Sequence, residues 1–189
     1  MLDIALKFLV KELNSYLLLR TGSSFGEADV SRLVDDNGKW AVKEDQIGAA
    51  LINLEEERVV KSQLPETTYV DGRNVVLQPG LKLNLHVLFA AYFKRYDEAL
   101  RYLAYVLTYF QSHPAFTPDQ YPGLDPRIDK LTAELQSLTY EQLNQVWAFI
   151  GGKQLPSAIY KVRMVALQDA GQTAIQAPIT QFAPVLHGQ

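Results

Sequence analysis

Apolar side chains recur along the chain at two spacings, and the changes between them mark where the element type should change. Leu2, Leu6, Leu9, Val10, Leu13 and Leu17 return every three or four residues, with Lys7, Lys11 and Asn14 on the other side. That is the pattern of an amphipathic helix laid on a core. After Gly22 and Gly26 the period becomes two. Residues 30–34 and 39–42 flank Asp35-Asp36-Asn37-Gly38, and Asn and Gly tolerate the positive φ that tight turns need, so a hairpin is expected here. Residues 47–54 are apolar at both alternating sets of positions, as in a strand covered on both sides. They run into Glu55-Glu56-Glu57-Arg58, where the strand should emerge into water. Residues 62–80 carry two prolines and two glycines and read as a long irregular excursion.

Leu81, Leu83, Leu85, Val87 and Phe89 then alternate with Lys82, Asn84 and His86, a half-buried strand. A helix is expected over 97–112, with Leu100, Leu103, Ala104, Leu107 and Phe110 along one stripe and Tyr102, Val106 and Tyr109 widening it. Four prolines between 113 and 126 end it. Residues 131–135 fit a short strand or a helical turn, the strand being the better fit. Thr139-Tyr140-Glu141-Gln142 forms a capping box, with Leu138 and Leu143 placed as a hydrophobic staple. Leu143, Val146, Trp147 and Ile150 give this helix its buried face, and Gly151 stands at the left-handed closing position. In the last strand, Ala158, Tyr160, Val162, Met164 and Ala166 alternate with Ile159, Lys161, Arg163, Val165 and Leu167. One face is core; the other carries two cations among apolar residues and is suited to meet a partner. The sum is an α+β fold, with a mixed, mostly antiparallel sheet packed against an N-terminal helix and two further helices.

The chain's chemistry is sparse. Gly151-Gly152-Lys153 invites a phosphate loop, but such a loop runs strand, glycines, helix, so that amides and the positive helix end face the anion. Here the order is helix, glycines, strand, and Gln154 stands where Ser or Thr is needed. His86, His113 and His187 have no second ligand at metal spacing. Glu55, Glu56 and Glu57 read as a solvated strand end, since consecutive residues of a strand point to opposite faces. There is no Gly-x-Ser-x-Gly elbow. The ten tyrosines come without a basic stripe, so they read as core and interface, not as a base-stacking platform. No cofactor or metal is expected, and no enzyme.

Composition changes the picture in three places. A length of 189 residues with 48% hydrophobic and 21% charged residues fits one folded, soluble domain plus a tail. The net charge of -3 gives no pull toward nucleic acid or an anionic membrane. The absence of cysteine excludes disulfides and sulfur-ligated zinc. Asp3, Lys7, Lys11 and Glu12 break the apolar N-terminus, so neither a signal peptide nor a membrane anchor is expected; an interfacial membrane helix is the alternative, and it lacks a basic face.

The last residues differ from all before them. The domain is expected over 1–168 and a C-terminal arm over 169–189. After Asp169 there is no Asp, Glu, Lys or Arg, while Ile175, Ile179, Phe182 and Val185 recur among Ala, Gln, Thr and Pro. This reads as an arm lying on another subunit or donating backbone hydrogen bonds to a sheet edge; a disordered end is the alternative. Lys161, Arg163, Ile175, Ile179, Phe182 and Val185 are the residues expected at an interface.

Four segments, ELNSYLLLR, INLEEER, LNLHVLFAAYFKRYDEALRYLAYVLTYFQS and LTYEQLNQVWAFIGGKQLPSAIYKVRMV, together resemble the cap, or tail-terminator, proteins of extracellular contractile injection systems. These are phage-tail-like particles such as the Photorhabdus virulence cassette and the antifeeding prophage. The resemblance covers residues 1–167, lies in the order of the segments and carries no catalytic signature. It implies a tail-terminator-like fold and a structural cap: a homohexameric ring closing the distal end of inner tube and sheath, setting tube length and anchoring the sheath. The implied partners are the chain itself, the inner tube protein, the sheath protein and, in some particles, a second cap-family protein; neither nucleic acid nor membrane is among them. A cap adaptor, or a scaffold outside any particle that binds a partner strand, is the alternative. Assembly in the cytoplasm, and then a place in a particle that some cells release, is the implied localisation.

Overall fold

The computed structural model describes residues 1–57, 66–70, 73–77, 82–166 and 174–176, of which 66–70, 73–77 and 174–176 are defined by their backbone pairing. The elements run α1 (Leu2–Thr21), β1 (Ala28–Val30), β2 (Gln46–Glu56), β3 (Glu66–Val70), β4 (Arg73–Leu77), β5 (Lys82–Tyr92), α2 (Tyr96–Ser112), β6 (Ala115–Phe116), β7 (Ile128–Gln136), α3 (Tyr140–Ile150), β8 (Ser157–Ala166) and β9 (Ala174–Gln176). A six-stranded sheet of order β1-β2-β5-β8-β7-β6 forms the centre; β1 and β2 run parallel and every other pair is antiparallel. This is the expected α+β architecture with a mixed, mostly antiparallel sheet and three helices.

The alternation along each strand divides the core into two layers. On one face Leu85, Val87, Phe89 and Ala91 of β5 and Ala158, Tyr160, Val162 and Met164 of β8 pack against α1 and α2. On the other, Leu88, Ala90 and Ile159 meet Trp147 of α3 and Leu33 and Val42 from the β1–β2 connection. The second layer is the smaller. Trp147 is the one buried residue of α3, and the helix begins at the expected capping box, where Thr139 accepts from the Gln142 N–H and Gln142 accepts from the Thr139 N–H.

Four expectations change in detail. The Asp35–Gly38 turn forms, with the Asp35 carboxylate accepting from the Asn37 and Lys39 N–H groups, but only one bridge, Val34 to Trp40, flanks it. The reason is that β1 turns instead to a parallel pairing with β2, while Leu33 and Val42 leave the sheet to fill the second layer. The stretch read as an irregular loop contains the β3–β4 hairpin, paired from Glu66 with Leu77 to Val70 with Arg73. In α2 the buried set is Ala99, Tyr102, Val106, Tyr109 and Phe110; Leu100 is 47% exposed, because aromatic rings rather than leucines fill the gap beneath α1. Lastly, β9 joins β4 in a second, three-stranded sheet of order β3-β4-β9.

Candidate assembly interface

Strand β8 carries Lys161 and Arg163 on the face it shares with α3, beyond the edge of that helix's cover. Register supplies their neighbours. Lys161 lies between His86 of β5 and Glu134 of β7, while Arg163 lies between Asn84 and Thr132. One strand further, Asn53 pairs with His86 and Glu55 with Asn84, after a register shift between Leu51 and Asn53. Two polar rows therefore cross four adjacent strands, Asn53-His86-Lys161-Glu134 and Glu55-Asn84-Arg163-Thr132. Sequence reasoning had placed these residues singly; the topology brings them together.

The contacts within this patch are light. Arg163 donates to Glu134 Oε2 at 3.2 Å, and both side chains are about half exposed, so the pair contributes at most about 1 kcal/mol. His86 Nε2 stands 3.3 Å from Glu55 Oε2, within ion-pairing range, yet the approach angle makes no hydrogen bond. Asn53 donates to Glu55 and Asn84 donates to Glu57, each at 3.1 Å. Asn84 is 3% exposed, and its Oδ1 has no partner among the described residues. Lys161 has no ion pair among the described residues. Asn84 is buried, so the groups of this face that a partner can reach are the part-exposed Lys161 and the half-exposed Arg163, Glu55 and Glu134.

The arm residues divide. Ile175 lies in β9, opposite Val75 of β4, whereas Ile179, Phe182 and Val185 lie outside the described residues. Two apolar features escaped the sequence reading. Tyr140 and Phe149 on α3 are 94% and 74% exposed. At the corner between α2, the end of β7 and the start of α3, an open cleft of about 300 Å³ is lined by Leu103, Leu107, Leu135, Leu138, Leu143 and Ile159. Its lining contains no charged residue. The available signal was Leu138 and Leu143, expected as a staple and found lining one cleft.

Among the described residues no group of three or more His, Asp or Glu could hold a metal ion, and no helix is long and apolar enough to cross a membrane. No curated protein matches the sequence. Two solved structures share the fold. The sheath/tube terminator of PVC, an extracellular contractile injection system, in its extended state superposes with a TM-score of 0.55 and 15% identity, over 95% of this chain and 64% of that one. The tube-terminating cap of the anti-feeding prophage superposes with a TM-score of 0.57 and 15% identity, over 92% of this chain and 58% of that one. This chain thus spans about three fifths of the length of the structures it matches. The sequence pattern of the Pvc16 N-terminal domain covers residues 6–181, running across the boundary expected after residue 168, and the chain belongs to the Pvc16 N-terminal domain family.

Proposed function

We propose that this chain is a structural cap, the tube terminator of a contractile injection particle. The observation that carries the reading is the family match over residues 6–181, supported by a fold shared with a sheath/tube terminator and a tube-terminating cap. In this reading six copies close into a ring on the last ring of the inner tube. They present outward a surface that accepts no further tube subunit, which fixes tube length, and they hold the sheath end during contraction.

A closed ring is heterologous, so two different faces of each copy must complement one another. The polar rows around Lys161 and Arg163 suit contact with tube or sheath, because their half-exposed Arg163, Glu55 and Glu134 offer directional hydrogen bonds and charge across four strands, which selects a partner and its register. The C-terminal arm tethers neighbouring copies, and tethering makes each further contact effectively intramolecular. Assembly takes place in the cytoplasm, before any release of the particle.

The test is electron microscopy of particles from the source cells with the gene intact and deleted. Loss of the terminal density together with tubes of uncontrolled length is the expected result. Deletion particles of normal length with normal ends would remove the terminator role.

A further inference from the structure

The apolar cleft at the α2–β7–α3 corner lies at one end of the sheet, and the C-terminal arm departs from the other. The cleft is lined by Ser157, Ala158 and Ile159 from the start of β8. The far end of that strand is Val165, paired with Lys82. Ten residues of β8 at about 3.3 Å each separate the two by roughly 30 Å. The arm then reaches β9, which pairs with the β3–β4 hairpin, and that hairpin is inserted in the chain between β2 and β5 at the same far end.

The cleft has the features of a strand-addition site. Ala133 donates its N–H to Pro114 C=O, so the odd residues of β7 direct their backbone groups to the β6 side. Strand β6 pairs with Leu131 and Thr132 only, so among the described residues no strand lies opposite Leu135 on that side. The Leu135 side chain is 54% exposed and Leu138 is 37% exposed, both beside the cleft. An extended segment laid there gains backbone hydrogen bonds from Leu135 and apolar pockets from both sheet faces.

Charge selects the occupant. The grooves beside α1 contain Lys7, Lys11, Asp29 and Lys43 in one case and Glu12 and Arg20 in the other, whereas this cleft contains no charge. Residues 177–189 contain no Asp, Glu, Lys or Arg and carry Ile179, Phe182 and Val185. Their thirteen residues extend over at most about 45 Å. Pro178 and Pro184 fit an added edge strand, whose outer side needs no N–H donor.

We infer that the cleft takes residues 177–189 of a neighbouring copy. The chain leaves β8 at the end opposite the cleft, so each copy would give at one end and receive at the other, the head-to-tail geometry of a heterologous contact. The inference rests on the ring reading for which copy is the neighbour, and it supplies that ring with a specific joint.

The test uses the full chain with p-benzoylphenylalanine in place of Phe182, prepared both unlabelled and fully labelled with heavy nitrogen, mixed, illuminated and mapped by mass spectrometry. The expected result is cross-links between unlabelled and labelled copies that join the arm to peptides containing Leu103, Leu135 or Leu143. Leu135→Asp and, separately, Leu138→Asp should lower their yield about tenfold with the thermal unfolding temperature little changed, since both side chains are substantially exposed. Cross-links confined to one copy, cross-links that miss the cleft, or a yield that neither substitution lowers would each overturn the inference. The experiment needs no particle: inter-copy cross-links alongside normal deletion particles sink the terminator role and leave the joint standing.

Discussion

Asn14 makes the most exposed test of how the sheet edge is closed. It sits within α1, yet its side-chain amide behaves as a missing strand: Nδ2 donates to Ala28 C=O at 2.9 Å and Oδ1 accepts from Ala28 N–H at 2.7 Å. The ladder explains the need. Ile47 donates to Glu27 C=O and Ser31 donates to Ala49 C=O, so Glu27 and Ser31 face β2 and both backbone groups of Ala28 face outward. Ala28 is 4% exposed, so water is a poor substitute. For Asn14→Ala, two hydrogen bonds at about 1 kcal/mol each, plus a partial penalty for the two stranded groups, give a loss of about 2 to 3.5 kcal/mol. Replacing Asn by Ala inside a helix returns roughly 0.6 kcal/mol. The net loss should be about 1.5 to 3 kcal/mol, or roughly 5 °C in unfolding temperature for a chain of this size. Urea unfolding with an unchanged m-value measures it, and hydrogen exchange should show the Ala28 amide losing protection. Ser15→Ala is the control: its exposed hydroxyl bonds only to Lys11 C=O, so the substitution should be neutral or slightly stabilising. If Asn14→Ala falls within about 0.5 kcal/mol of that control, the edge-closing account is wrong.

Three further outcomes follow from single contacts. Thr139→Ala removes the hydroxyl that caps α3 and should cost about 1 kcal/mol, read from Trp147 fluorescence during urea unfolding; Thr139→Asp should recover most of it. Gly26→Ala should cost more than about 3 kcal/mol, because φ is 78° and the new Cβ would stand 2.2 Å from the Tyr102 ring, which is held by a hydrogen bond to Phe25 C=O. Gly22→Ala, also left-handed but facing open space, should cost about 1 kcal/mol. Burial pushes the Tyr160 phenol up to about 12. A raised folded value favours the neutral form, so its contribution is complete below pH 10 and is lost as pH rises toward 12. Tyr160→Phe should remove that part of the alkaline loss, with absorbance at 295 nm following the ionisation.

Elements whose signal is local were legible in the sequence. The capping box at Thr139, the closing Gly151 and the alternation of β8 depend on neighbours within four residues, and each stands where the pattern put it. The misreadings share one cause. Leu100 and the tyrosines of α2 both fit the apolar side of a helical wheel, and only the packing of α2 against α1 and the sheet decides which stripe is buried. Asp71-Gly72 between Val70 and Arg73 is a strong hairpin signal that the prolines around it concealed. The turn at Asp35 was legible because Asx chemistry is local, but the parallel partner of β1 lies some twenty residues along the chain and leaves no periodic trace.

The candidate interface was legible only in part, for a related reason. Lys161 and Arg163 announced themselves as cations on an otherwise apolar strand. His86 and Asn84 read as the polar side of an ordinary half-buried strand, and Glu134 carried no signal at all. Their meeting depends on the strand order β2-β5-β8-β7, in which no two neighbours adjoin in sequence without a helix, a hairpin or a long connection between them. A catalytic site would demand converging groups of shifted acidity in a recess. These rows are instead spread across four strands, and the Arg163–Glu134 ion pair among them is half exposed. The spacing of the rows repeats at the strand separation, and Arg163, Glu55 and Glu134 keep half-exposed polar groups within reach of a partner. Those are the properties needed where one rigid subunit must seat on another in a single register, which is the use that the proposed cap role has for them.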